Sequence, residues 1–284
     1  MSGDGSRVQA ALGEALSLGE QERWDEMADL LERALEAEPD DAYLLGWLGV
    51  AERERGRDGV AYEYFKRCVA QEPTDPQLLA LAGSGLAAFD DPEAETALRA
   101  AALSGPELPT TRLQYGAYLS RAGLFRESIE QLEAALELDP EDPVVHSELA
   151  VALALQGEHA RAVDRMEEAL AMAPEDTWNR VILGLLHAEL GDWEPAAEAL
   201  LQAGESRTDD AEAQVASALA AAAAGWEDAA WEAIARAPFG AEGTDQQMID
   251  EAEDRIAAGA DSARTFLRES VGPMLLRERL MEPL

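Results

Sequence analysis

The most constraining feature of this 284-residue chain is a recurrence of 34 residues. Prolines stand at Pro39, Pro73, Pro106, Pro140 and Pro174, at spacings of 34, 33, 34 and 34. Gly123, Gly157, Gly191 and Gly225 keep the same step, and so does a series of small residues: Ala15, Gly49, Gly83, Gly116, Ala150, Gly184 and Ala218. A fixed period of this size means a stack of like supersecondary units rather than one closed core.

Inside each period the apolar spacing is helical. From Asp142 to Pro174, one stripe holds Val145, Leu149, Ala152, Leu153 and Leu155. After Gly157 a second holds Ala162, Met166, Ala169 and Leu170. Apolar residues recurring this way predict amphipathic helices. Each unit therefore reads helix, glycine turn, helix, proline-marked break. In the pairs Pro73/Pro76, Pro106/Pro109 and Pro140/Pro143 the first proline follows a helix. The second opens the next, where a missing N–H costs nothing. Pro92 and Pro195 similarly open second helices.

These residues resemble the tetratricopeptide repeat, a helical hairpin with a W-x2-LG-x2-Y … A-x3-F … P pattern. Leu48-Gly49, Ala61, Phe65 and Pro73 match it, as do Leu183-Gly184, Gly191, Trp193, Ala196, Leu200 and Ala203. The resemblance implies an all-α, right-handed solenoid superhelix of about seven hairpins: 6–40, 41–74, 75–107, 108–141, 142–175, 176–209 and 210–238. The third is one residue short and carries Asp90-Asp91 in place of the turn glycine. Small residues such as Gly49 and Ala61 let paired helices approach, while Phe65, Leu132, Met166 and Leu200 fill the space between hairpins. Two parts are expected, a repeat solenoid over 1–238 and capping helices with a tail over 239–284. In the second, a loop over 239–244 precedes helices over about 245–258, 261–270 and 274–281, with breaks at Gly259 and Gly272-Pro273.

Charge narrows the function. With 22 Lys+Arg against 58 Asp+Glu the net charge is −36, which repels nucleic acid and anionic lipid headgroups. No stretch approaches the roughly 18 apolar residues of a membrane span. The N-terminal MSGDGSRVQAALGEAL lacks the basic-then-apolar layout of a signal peptide, so a cytoplasmic protein is expected. Lys66 is the sole lysine beside 21 arginines. Acid enrichment with lysine nearly absent fits a halophilic protein, since about 1 M salt shortens the Debye length to about 3 Å. A GC-rich genome would also favour arginine over lysine.

Catalytic constellations are missing from the sequence. His146, His159 and His187 form no HExxH, and no GxSxG elbow or P-loop appears. Acidic runs such as 36–41 and 139–142 lack EF-hand spacing and read as solvated loops and helix caps. Cys68, the single cysteine, excludes an intrachain disulfide and reads as a core thiol. No enzyme, cofactor or metal site is expected.

The resemblance implies that first helices line a concave groove, through positions −6, −3, +1 and +4 from the small-residue series. Of those 28 positions only Arg53 and Glu212 are charged, where a chain that is 28% charged would place about eight. The candidate binding residues are Tyr43, Trp47, Val50, Arg53, Leu113, Ala117, Val151, Trp178, Val181 and Leu185. An apolar groove in an acidic chain suits a partner protein's apolar, basic segment, laid in as a helix or an extended strand. The expected role is a non-catalytic interaction scaffold or adaptor; the alternative is an obligate accessory subunit or assembly factor held permanently in a larger complex. Residues 264–279 are themselves basic and apolar, with four arginines against two glutamates. This tail either folds back onto its own solenoid, as a cap or a groove occupant, or projects as a docking helix for another subunit. It is expected to order on the last repeats through Phe266 and Leu267, with the 274–281 helix as the partner contact.

Overall fold

Aspartates fix where the first helices begin. Asp41, Asp75, Asp142, Asp176 and Asp210 stand in extended conformation just before a helix, and each carboxylate accepts a backbone N–H of the first turn. Such N-caps satisfy donors that a helix start leaves unpaired, each worth about 1 kcal/mol. Pro76 and Pro143 follow the cap directly, at positions that need no N–H. Part of the acid in the sequence thus serves helix ends.

The computed structural model describes residues 4–237 and 244–281, and these divide into two compact units, one up to Leu119 and one from Ser120 on. Every regular element among the described residues is helical. The first unit holds α1 (Asp4–Gly19), α2 (Trp24–Leu35), α3 (Ala42–Glu54), α4 (Asp58–Ala70), α5 (Pro76–Ala87), α6 (Glu93–Ser104) and most of α7 (Pro109–Arg121). The second holds the end of α7, then α8 (Phe125–Leu138), α9 (Pro143–Gln156), α10 (His159–Met172), α11 (Thr177–Leu190), α12 (Trp193–Ser206), α13 (Ala211–Ala223), α14 (Glu227–Ile234), α15 (Thr244–Ala257), α16 (Ala260–Phe266) and α17 (Gly272–Met281). Paired helices pack as hairpins, α3 on α4, α5 on α6, α9 on α10 and α11 on α12, and first helices also meet one another, as α3 meets α5 and α9 meets α11. The expected loop before Thr244, and the expected division after Pro238, fall outside the described residues.

The small-residue series does the packing expected of it. A Cβ at Gly49 would stand 2.6 Å from the Phe65 ring of the paired helix, and one at Gly83 2.9 Å from Leu98. Phe65 also lies against Gly85 of the next hairpin, so one large ring fills the gap among three helices. The turns share one conformation. Gly56, Gly123, Gly157, Gly191 and Gly225 have positive φ, and so do Glu22 and Asp90 at the equivalent places in the first and third hairpins. The left-handed region disfavours a side chain by about 1–2 kcal/mol, least for Asp or Asn.

After α14 the chain keeps the register for one more helix. Ala252 lies 34 residues after Ala218 and is buried, and Gly259, 34 after Gly225, again has positive φ. α15 packs on α13 and α14 as a further first helix. α16 then turns onto α13, which is buried along its whole length except at Glu212. The break expected at Gly272-Pro273 does not occur. A π-helical turn, Leu267–Val271, joins α16 directly to α17, with the Gly272 N–H bonded to the Leu267 carbonyl. The wider turn tolerates Pro273, whose ring would clash with a carbonyl in a regular helix interior.

Candidate functional site

In the first unit the inner faces of α3, α5 and α7 enclose an open cavity of about 440 Å³. Four of the sequence-derived candidates line it together: Tyr43, Trp47, Val50 and Arg53, all on α3. Helical spacing explains the grouping, because residues three and four apart share a face. Facing them are Gln77, Leu78, Leu81 and Ser84 of α5, and Thr110 and Gln114 of α7.

The chemistry of this wall is apolar with neutral hydrogen-bonding groups. Trp47 and Val50 pack partly on the core beneath and show their remaining surface to the cavity. Tyr43 is 42% exposed, and its hydroxyl donates to the Asp75 carboxylate at 3.0 Å. Partial burial, and then that hydrogen bond, raise the phenol above its ordinary value, so it stays neutral. Arg53 pairs with Glu54 at 3.3 Å at the rim. The Oε1 atom of Gln114 is buried without a hydrogen-bond partner. A buried acceptor left unpaired costs about 1–3 kcal/mol, which a ligand donor would recover.

The remaining candidates are placed differently. Leu113 and Ala117 are buried in α7. Val151, Val181 and Leu185, on α9 and α11, are buried as well. Above Leu185 lies Gly272, where a Cβ would stand 3.7 Å from the leucine Cδ2. Trp178 is half-buried beneath the Arg207 guanidinium, 4.7 Å above its ring, rather than an open shelf. The sequence positions thus fall into an open set in the first unit and a covered set in the second.

The cover in the second unit is the chain's own end. Of the two arrangements open to the tail the fold-back is the one observed, and the 274–281 helix, expected as a partner contact, lies on the chain itself. Both the π turn and α17 lie on α11. Leu267 and Val271 of the π turn, and Leu275 and Leu276 of α17, are buried. An Arg279 side-chain nitrogen lies 2.8 Å from the Glu148 carboxylate of α9 and 3.4 Å from the Ser147 hydroxyl. Arg264 donates twice to the Ala223 carbonyl at the end of α13 and sits 5.3 Å above the Trp193 ring.

One register escaped the sequence reading. Trp47, Leu81, Gln114 and Glu148 all stand two residues before the small-residue series. That position lies four residues after −6 and three before +1, so the helical step carries it to the same face. The remaining chemical outliers do not line the first-unit cavity. Cys68 is fully buried in the first unit, and burial pushes its thiol up to about 12. The His146 ring bonds the Pro140 carbonyl and faces Glu168 at 3.0 Å. Among the described residues no group of His, Cys, Asp and Glu could hold a metal ion, and no helix is long and apolar enough to cross a membrane.

A scaffold of stacked hairpins with capped first helices and small residues at the crossings defines an α-helical repeat protein. Two tetratricopeptide-repeat family models match the sequence, one over residues 12–76 and 116–177 and the other over 153–223. Together they span more than half of the chain, which belongs to the tetratricopeptide-repeat family of protein–protein interaction modules. No curated protein matches it in sequence. Among solved structures, the APC/C hetero-tetramer Cut9–Hcn1 superposes with a TM-score of 0.68 at 19% identity, over 84% of this chain and 48% of that one. The pilF protein of Pseudomonas aeruginosa gives 0.61 at 20% identity, over 72% and 94%. The thermophilic TPR protein TTC0263 of Thermus thermophilus gives 0.50 at 28% identity, over 61% and 95%. The chain spans about half the length of the Cut9–Hcn1 chain it matches and nearly all of the other two.

Proposed function

We propose that the protein is a non-catalytic adaptor whose first-unit groove binds an apolar segment of a partner protein. The observation that carries this is the open cavity bounded by Tyr43, Trp47, Val50 and Leu81, with Gln114 Oε1 buried and unpaired in its wall. Aromatic residues at the centre of a concave face are the usual energetic anchors of an interface. Gln77, Ser84, Thr110 and Gln114 supply donors and acceptors for a peptide backbone, and an extended segment keeps its N–H groups free to use them. A net charge of −36 favours basic flanks on that segment and speeds encounter with it.

The test is affinity capture from native extract with the wild-type chain and with Tyr43→Ala and Gln114→Ala variants, each first checked for unchanged helicity. A partner cross-linked to α3 or α5 in the wild type should be lost, or weakened by about 1–2 kcal/mol, in each variant. Equal recovery by all three chains overturns the groove assignment. Size-exclusion of the extract separates the two roles: a transient adaptor elutes largely free, whereas an obligate subunit co-elutes with one stoichiometric partner.

A further inference from the structure

The two units treat the same helix face in opposite ways. In the first, Trp47, Leu81 and Gln114, two residues before the small-residue series, border an open cavity. In the second, that register holds Glu148, Ile182 and Ala216, and Arg279 of α17 is bonded to the first of them. We infer that the inner face of the second unit is a second docking site, shut by α17, and that it takes a partner helix bearing two adjacent apolar residues followed by an arginine at the spacing of Leu275, Leu276 and Arg279.

Three features support this. The first is the ion pair itself. Glu148 and Arg279 have side chains only 6% and 13% exposed. A buried ion pair seldom adds stability over apolar residues of like size, and its best-attested use is to fix register and partner choice. At this place it demands a cation at one position of whatever helix lies there. The second is a neighbour that weakens the latch. Arg121 is also largely buried, and burial and then Arg279 lower its basicity while Glu148 opposes both. Glu148 and Arg279 thus act on Arg121 in opposite senses, the carboxylate raising and the second guanidinium lowering its basicity.

The third is the connection. α15 and α16 are anchored on α13, and Arg264 holds the end of that helix by two hydrogen bonds. α17 follows the π turn, and Pro273 in its first turn offers no N–H to bond back. A helix attached this way can leave as a unit while the rest of the cap stays in place. Its own sequence then defines the ligand chemistry: Leu275 and Leu276 are buried against the face, while Arg277 and Glu278 point to solvent.

The experiment uses the full chain and a fluorescein-labelled peptide of residues 270–281 as probe, followed by fluorescence anisotropy. Wild-type protein, with α17 in place, should bind it weakly. The Arg279→Glu protein sets two carboxylates face to face and should bind it about tenfold more tightly or better, because the open state is no longer a minor fraction. The Glu148→Arg/Arg279→Glu double variant should restore closure and return binding to the wild-type level, and a probe carrying Arg279→Glu should not bind the opened chain. Equal binding by wild type and Arg279→Glu overturns the proposal. Hydrogen exchange on the unaltered protein gives an independent reading: α17 should exchange well ahead of α13 and α16, and uniform protection of the three overturns the proposal even if the variants fail to fold. Neither measurement touches Tyr43 or Gln114, so the first-unit groove stands or falls separately.

Discussion

Leu200 occupies the place a side chain at Gly184 would need. A Cβ there would stand 2.5 Å from the leucine Cγ and 3.1 Å from the Ala196 carbonyl oxygen. A carbonyl of the paired helix cannot swing aside as a flexible side chain can. Gly184→Ala is therefore expected to destabilise the protein by about 1–3 kcal/mol through overpacking, although alanine is the better helix former by about 1 kcal/mol. Gly13 in α1 is the control, with nothing within 4 Å of its Cβ position. Gly13→Ala should stabilise by roughly 0.5–1 kcal/mol. Urea midpoints at constant slope measure both; the same sign for the two substitutions contradicts the close-approach account.

The Cys68 thiol gives a stability that depends on pH. Its Sγ lies 3.2 Å from the Ala42 carbonyl in the core, and burial is the main cause of its rise to about 12. Between about pH 8.5, where a free thiol ionises, and about 12 the unfolded chain has lost a proton that the folded chain keeps. Stability should therefore fall as pH rises, by about 1.4 kcal/mol per unit from this group alone. A Cys68→Ala protein should lack that component of the slope. In native buffer at about pH 8, just below the free-thiol value, the thiol should resist a disulfide reagent and react at once in denaturant.

Charge insertion separates the open face from the covered one. Leu185 is 2% exposed beneath Gly272, so Leu185→Glu should cost about 3 kcal/mol or more by burying an unpaired charge. Val50 is half-exposed at the first-unit cavity, and Val50→Glu should cost less than about 1 kcal/mol while abolishing capture of the partner. Thermal melts and pull-downs on the two variants check this. A melting temperature lowered equally in both would mean that the first-unit face is not open.

Salt should strengthen the fold. With a net charge of −36, the chain repels itself in dilute buffer, and raising salt from about 0.01 M to about 1 M shortens the Debye length from about 30 Å to about 3 Å. The melting temperature should rise over that range, as a haloadapted surface requires. A flat or falling curve leaves genome composition as the account of the arginine excess.

Much of the fold was legible in the sequence because its marks repeat. Prolines, turn glycines and small residues each have one steric reason, and three registers agreeing leave one architecture. The marks fail where another residue accepts the same conformation. Glu22 and Asp90 take the left-handed turn in place of glycine, so the first and third turns carry no glycine signal. The helix after the seventh hairpin kept the register at Ala252 and Gly259 but lost its proline, and so it read as a separate cap. Of the groove, the residues of α3 were legible because they stand on one face of one helix. Glu148 was not, since its partner lies 131 residues away and only the folded chain brings them together.

The inward turn of α16 also bears on how many copies of the molecule can associate. A stack of identical hairpins has no intrinsic length, and an exposed terminal hairpin is a template for the first hairpin of another molecule, a head-to-tail contact that builds filaments. Such growth needs an edge of two layers, a first helix and its second. Beyond α14 this chain supplies the first layer in α15 but withholds the second, sending α16 back onto α13. An incoming hairpin finds half a template. The edge beyond α14 is therefore closed to stacking by geometry as well as by surface charge, and the protein is expected to form no fibres at high salt, where repulsion between acidic molecules is screened away.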